Sequence, residues 1–478
     1  MQFTIECLSC GSLFKDWTSP KLEKRYDANV RSVLACKEVG IGYSKLSNLF
    51  AIMNVIDPMH HSTYLEIAEE VHIASVEAAE ECMNRAAVVI KEQCDSTSTS
   101  IPSRTVSQDG TWQKRGHSSH NGVSSAIDFE TGLVLDFQVL SNWCQACTNG
   151  PSPGDPRYDE WYLNHKWKCQ KNTEGSSNSM EAEAASLMWQ RSVRKRGLEY
   201  GTMLCDGDSK AFQAASESCG YSQPIVKEDC INHIAKRMFN ALDNLKKSNK
   251  AELNYKLTKP NIEKITNTYA TNLKSNAPDP EEMKKGVLAG FFHMMSTDDS
   301  PNHKFCPEGE SSWCHYKRSE ATGEPQRPHK PTFSRKVGSV IFPTIKRLTD
   351  LDLLKRCAKM GTQNANESFN SLIWKRSPKN EFHSRSSVET STSLATLSFN
   401  CGPFGLHSVY EKLDLPWEKS IHDYCLQQQF NKQSASRKRK MGVSKWKRKN
   451  LKKQRISLEH QRTTKEGPTY GYGAFDLQ

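Results

Sequence analysis

The sequence predicts an α/β fold in which a mixed sheet is covered by helices. Three observations carry that reading. Three β-type runs follow one another between about residues 105 and 143, and two further β-type runs alternate with helical stretches after residue 179. A long polar helical region then interrupts the pattern, which resumes near residue 351.

From about residue 20 to 95 the pattern is helical. ANVRSVLACKEVGIGYSKLSNLFAIMNV reads as two helices around a Gly-Ile-Gly break, with the outline of a helix-turn-helix or of plain bundle packing. STYLEIAEEVHIASVEAAEECMNRAAVVIKEQ has apolar residues at three- and four-residue steps and no Pro or Gly, so it predicts one long helix. The Ser/Thr/Pro stretch at 94–105 marks a domain boundary.

TVSQDGTWQ, GVSSAIDFETG and LVLDFQVLSNW predict three strands, the last two joined as a hairpin by Glu-Thr-Gly. A Cys/His-bearing segment with Pro and Gly fills 144–177. A helix starts near Ser179, where Ser and Asn supply caps, and runs to Gly197. YGTMLCD is a fourth strand, SKAFQAASESCG a helix, QPIVKEDC a fifth strand and INHIAKRMFNALDNLKK a further helix. The order β-β-β-α-β-α-β-α describes antiparallel strands followed by strands that return through helices, which is the layout of a ribonuclease-H-like fold.

The chain accordingly divides into five parts. A helical N-terminal region spans 1–95, and the first part of the core spans 96–234, with a Cys/His loop at 144–169. A mainly helical insertion covers 235–350, core completion covers 351–432, and a basic tail expected to be disordered covers 433–478.

Composition narrows the function classes. No run of about 18 apolar residues occurs, and Met1 is not followed by a basic segment and an apolar stretch, so neither a membrane span nor a signal peptide is expected. Sixteen cysteines without such a signal point to buried, reactive or metal-bound thiols rather than to disulfides. Eleven Lys/Arg and no acid lie between Arg437 and Arg455. They match the whole formal net charge of +11, so any nucleic-acid surface elsewhere must be a local patch.

Three acids sit at element ends. Asp109 closes a β-type run before Gly110, Asp206 follows the apolar run TMLC, and Glu367 opens the helical stretch NANESFNSLIW. Two-metal phosphoryl transfer needs two or three carboxylates converging from separate elements, because Mg²⁺ or Mn²⁺ takes hard oxygen ligands and keeps positions for water and phosphate. In the proposed fold the first and fourth strands are neighbours, which brings Asp109 beside Asp206. Asp208 and Glu181 are the rivals for the second and third places. Taken singly, each acid reads equally as a turn, cap or solvated helix residue.

QDGTWQKRGHSSHNG, CDGDSKAF, KEDCINHIAKRM and NANESFNSLIW resemble the core motifs of the Mutator-like transposases, a DDE-type family, over about residues 20–402. The resemblance implies a ribonuclease-H-like core with a helical insertion, a divalent-metal triad of Asp109, Asp206 and Glu367, and cleavage of DNA at element ends followed by joining of the 3′-OH to target DNA. It also implies that Cys230 and His233, a C-x-x-H, support the site. By spacing alone that pair reads either as half of a zinc site or as a buried Cys beside a polar His. Assembly as a homo-oligomer is expected. Cys7-x-x-Cys10 stands alone where the resemblance implies a second Cys pair upstream, so an N-terminally shortened copy is expected.

Cys144-x2-Cys147-x17-His165-x3-Cys169 has the spacing of a structural zinc knuckle. A second cluster, His303 and Cys306 with Cys314 and His315, is less regular because adjacent ligands are awkward to bring to one ion.

Trp112, Lys114 and Arg115 beside the first acid, and Lys227, Lys236 and Arg237 around the C-x-x-H, are candidate DNA contacts, with a core Trp as the other reading of Trp112. The basic tail suits nuclear import or non-specific DNA binding, and the nucleus is the expected location. Two functions follow: a metal-dependent transposase or its derivative, and a catalytically inactive, transposase-derived nuclear DNA-binding protein. A structure-selective nuclease sharing only the fold is a weaker third.

Overall fold

The computed structural model describes residues 2–440, apart from 18, 23, 24, 58, 95–99, 115–118, 208, 254 and 255. Arg115, the rival acid Asp208 and the tail beyond Lys440 therefore lie outside the described residues, as do residues 95–99 of the Ser/Thr/Pro linker.

The chain opens with two short antiparallel hairpins rather than helix. β1 (Gln2–Glu6) pairs with β2 (Leu13–Trp17), and β3 (Lys21–Leu22) with β4 (Arg25–Tyr26). Cys7-x-x-Cys10 forms the first turn, which Gly11 permits with φ at +70°. Three helices follow: α1 (Asp27–Val39), α2 (Tyr43–Ile52) and α3 (His61–Glu92). Gly40 ends α1 in the left-handed conformation, and its N–H bonds Cys36 O at 3.0 Å. α3 buries Tyr64, Ile67, Val71, Ala74, Ala78 and Cys82 along one stripe, the three- and four-residue steps visible in the sequence.

The sheet is built from β5 (Ser103–Trp112), β6 (Asn121–Asp128) and β7 (Val134–Ser141). α4 (Gln145–Asn149) and α5 (Tyr158–His165) lie in the Cys/His segment. Then come α6 (Ser177–Arg196), β8 (Glu199–Cys205), α7 (Ser209–Ser218), β9 (Val226–Asp229) and α8 (Ile231–Ser248). Strand order is β7-β6-β5-β8-β9, with β5, β6 and β7 antiparallel and β5, β8 and β9 parallel.

The sheet is therefore mixed, and β8 returns through α6 to lie against β5. All eight residues of β6 are buried because helices cover both faces. Trp189, Met188 and Ala185 of α6 pack on one face, and Phe369, Ile373, Val388 and Ala395 on the other. Arg196, at the end of α6, is fully buried and bridges to α3 through Glu80 (2.7 Å) and Asn84 (2.5 Å), while its Nε donates to Leu135 O.

α8 carries Ile231, Ile234, Met238 and Leu242 on one face and feeds them into a separate core. That core is completed by α9 (Lys250–Leu253), α10 (Lys259–Asn276), α11 (Pro280–His293), α13 (Arg335–Arg347) and α14 (Leu351–Cys357), with Tyr269, Phe291 and Ile341 among its buried residues, while the short α12 (His315–Thr322) contributes none. The chain then returns to the sheet as α15 (Asn364–Arg376) and α16 (Arg385–Asn400). α17 (His407–Lys412) packs with α16 and the N-terminal helices in one cluster. α18 (Lys419–Lys440) carries helix past residue 433, where sequence reading began the disordered tail. Neither Gly nor Pro interrupts 419–440, and Gln, Lys, Arg and Ala are good helix formers.

Candidate active site and metal centres

β5 reaches the site by two alternating faces. Ser107, Asp109 and Thr111 point towards α15, and each meets one residue of that helix. Ser107 Oγ donates to Asn366 Oδ1 (2.6 Å), Asn370 Nδ2 donates to Asp109 Oδ2 (2.8 Å), and Trp374 Nε1 donates to Thr111 Oγ1 (2.8 Å). Two strand residues rise about 6.8 Å and four helix residues about 6 Å, so a helix laid along a strand can keep this pairing for three rungs. Glu367 stands one turn before Asn370, on the neighbouring face of the same helix.

Gln108 and Gly110 face α6 instead. Gln108 Nε2 donates to Ser124 Oγ (2.8 Å) and to Glu181 Oε1 (3.4 Å). A Cβ at Gly110 would lie only 2.9 Å from the carboxyl carbon of Glu181, so glycine is what lets that carboxylate approach the strand. The Trp112 ring crosses Gly110, and its Nε1 donates to Ser177 O (3.0 Å). This Trp is thus engaged in packing β5 to the start of α6. Lys114 is exposed, with its backbone N–H bonded to Ser119 Oγ.

Register brings the second acid alongside. Ser107 lies opposite Leu204 in the parallel β5–β8 pair, so two further residues carry Asp109 and Asp206 to the same sheet edge. Asp206 accepts from His233 Nδ1 (3.0 Å) and from the Gly207 N–H (2.6 Å), with Arg237 Nη2 at 3.5 Å. Gly207 has no side chain for a reason: a Cβ there would run into the Arg237 guanidinium. Arg237 also reaches Asp229, which Arg356 Nε bonds at 2.8 Å.

Cys230 caps α8 and is buried, and its N–H bonds Cys205 O. The C-x-x-H therefore serves through His233, which bonds the second acid. Ile231 N–H to Gly361 O and Asn232 to Asn364 tie the start of α8 to the start of α15.

The two aspartates are held in opposite ways. Burial raises Asp109 to about 7; the charges of Glu181 and then Glu367 add to it, while His233 and the Asn370 bond oppose. The His233 hydrogen bond holds Asp206 down at about 2, and Asp206 in turn raises His233. Asp109, half-buried, thus sits with two further carboxylates, Glu181 and Glu367, near enough to be felt. A divalent cation would relieve that repulsion, and the donors are the hard oxygens that Mg²⁺ or Mn²⁺ prefers, so the residues fit such an ion.

Next to this edge, α8 and α13 bound an open groove of about 880 Å³ lined by Arg237, Asn240, Asn244, Lys346, Arg347 and Arg356. Lys227 lies over the Phe212 ring on the other side of β9.

Two sets of donors converge closely, and Asp109, Asp206 and Glu367 do not form a third. Among the described residues, the sets of His, Cys, Asp or Glu whose ligand atoms all lie within 4.8 Å of one another are Cys144, Cys147, His165, Cys169 and His293, His303, Cys306, Cys314. The first is the knuckle read from spacing. Its Cys147 Sγ is 3.1 Å from His165 Nε2 and 3.5 Å from Cys169 Sγ, and Cys144 Sγ is 3.5 Å from the same nitrogen. A tetrahedral zinc ion would give edges of about 3.6–3.8 Å for these pairs.

The second set takes His293 where the sequence suggested His315. Cys314 is the N-cap of α12, and the following His315 turns into the helix to bond Ser319 Oγ (3.1 Å).

The Mutator-like transposase family model matches residues 1–314. The chain belongs to the Mutator-like transposases. The matched span includes Asp109, Asp206 and the C-x-x-H of this transposase, whereas Glu367 and its ladder of bonds to β5 lie beyond it. No curated protein matches the chain. Membership of the family brings a transposase-type function, with DNA as the partner and a divalent metal as the cofactor. Among the described residues no helix is long and apolar enough to cross a membrane.

Sequence reasoning missed Asn370 as a holder of the first acid, although Asn366, Asn370 and Trp374 recur at four-residue steps in NANESFNSLIW. It also missed His293, ten residues before His303 at a helix end.

Proposed function

We propose that this transposase cleaves DNA and transfers the freed strand with a ribonuclease-H-like core in which Asp109, Asp206 and Glu367 hold Mg²⁺ or Mn²⁺. The observation that carries the reading is that Asp109, inside β5, and Asp206, just past the end of the neighbouring parallel β8, lie two residues beyond the paired Ser107 and Leu204, while Glu367 lies on the helix bonded to β5. When bound, the ions supply an activated attacking oxygen and stabilise the leaving oxygen.

The protein's own residues do the positioning. Asn370 orients the carboxylate of Asp109. His233 and the Gly207 N–H orient that of Asp206. Arg237 neutralises the acidic edge and opens onto the basic groove, where Lys346 and Arg347 meet the phosphates of the bound strand. The Cys144, Cys147, His165, Cys169 knuckle holds a closed, structural zinc ion that folds a segment with no buried apolar side chain in α4 or α5. The basic tail directs the protein to the nucleus and adds non-specific DNA affinity.

The test is nicking of DNA that carries candidate terminal repeats by the purified full chain in Mg²⁺ or Mn²⁺, beside Asp109→Ala and Glu367→Ala. Wild type should nick and both variants should not. Equal activity of wild type and Asp109→Ala would leave the other reading, a transposase-derived nuclear protein that binds DNA without turnover.

A further inference from the structure

The second cluster lies in the helical insertion, away from the carboxylates, and its geometry stands independently of the catalytic reading. His293 ends α11, His303 and Cys306 lie in the following segment, and Cys314 caps α12. The two Nδ1 atoms are 3.2 Å apart. Cys314 Sγ is 3.6 and 3.4 Å from them, and Cys306 Sγ 3.8 and 3.9 Å. For zinc at ordinary bond lengths a tetrahedron has N–N edges of about 3.3 Å and N–S edges of about 3.6 Å. These pairs have the dimensions of such a tetrahedron.

Proton bookkeeping points the same way. His329 Nδ1 lies 2.7 Å from the carbonyl of Ser296, which can only accept, so Nδ1 carries the proton. Its Nε2 is then the acceptor for His293 Nε2, 3.2 Å away, and that nitrogen must carry the His293 proton. His293 Nδ1 is therefore a bare lone pair aimed at a second Nδ1 and two sulfurs. His303 is oriented likewise, with Nε2 against Ser296 Oγ at 2.9 Å. Two thiols losing their protons on binding and two neutral imidazoles would balance the ion's charge, which suits donors that are mostly buried.

We propose that His293, His303, Cys306 and Cys314 hold a structural zinc ion, the histidines through both Nδ1 atoms, with His329 as the positioning residue that fixes the His293 tautomer. The site would pin the Pro-rich segment carrying His329 to the end of α11, where Thr332 N–H also bonds Met294 O (2.8 Å).

Metal analysis of the purified full chain tests this. Two zinc ions per chain are expected, falling to one in Cys306→Ser/Cys314→Ser and staying at two in His315→Ala. Retention of two by the double variant, or loss in His315→Ala, overturns the assignment. Should the double variant fail to fold, Co²⁺ loaded into Cys144→Ser/Cys147→Ser keeps the question open to measurement. Its thiolate charge-transfer band should have an intensity fitting two sulfurs, and absence of the band counts against the site. His329→Ala should keep the ion but weaken it about 10- to 100-fold in chelator competition. Unchanged affinity would remove His329 from the proposal.

Discussion

Asn370 donates its side-chain amide to Oδ2 of Asp109 at 2.8 Å, from a helix that lies 261 residues further along the chain. The bond favours the ionised carboxylate against the burial that raises it. Asn370→Ala should lower Mg²⁺-dependent nicking about 10- to 100-fold, the effect of removing a hydrogen bond to a charged group, with little change in melting temperature. Steady-state nicking beside a thermal melt separates the two effects. A variant as active as wild type would show that Asp109 needs no such support.

Gly207→Ala should fold, because the group it meets is the movable end of Arg237. The guanidinium must then leave Asp206 and Asp229. Strand cleavage should fall roughly tenfold while zinc content holds, and Arg237→Ala should produce the same loss without adding to it in the double variant. Additive losses would mean that the two residues act separately.

DNA affinity should depend on the groove between α8 and α13. Lys346→Ala/Arg347→Ala should weaken binding uniformly across sequences and reduce the slope of log affinity against log salt by about two. A salt titration with a labelled duplex reads this directly; an unchanged slope would take the groove out of the DNA path.

The buried Arg196 gives the fold an acid-sensitive tie between α3 and α6. Arg196 and Lys195 hold Glu80 down at about 2 against the burial that would raise it. A carboxylate lowered by folding stabilises fully above its ordinary value near 4.5, and the contribution is lost as pH falls from there towards 2. Glu80→Gln should cost about 2 kcal/mol at pH 7, less than a fully buried pair because Glu80 is 34% exposed, and the cost should shrink by pH 3. Melts at both pH values check the sign.

Much of this was legible from the sequence. Alternating apolar runs gave the five sheet strands and their order, because β-branched and aromatic residues fit a pleated, covered surface. Close Cys/His spacing gave the knuckle. The second N-terminal hairpin was not legible, since β3 and β4 are two residues each and too short for any period to register, whereas the first was missed although Gln2–Glu6 alternates polar and apolar residues. His293 was hidden because it enters its cluster from a helix end, and only the packing of α11 against the segment after it brings the ring to His303. Asp206's partner His233 could be picked out as part of a C-x-x-H, yet its task depends on the return of α8 to the edge of β8.

The three rungs between β5 and α15 are made by uncharged side chains on both partners apart from Asp109 itself. They fix the axial position of Glu367 by local pairing, with no reliance on the route the chain takes between Asp206 and Asn364. The parts of the helical body remote from the start of α8 and from the groove could thus be lengthened, shortened or exchanged without shifting Glu367, whereas α8 itself is held by its bonds to Asp206 and to the start of α15.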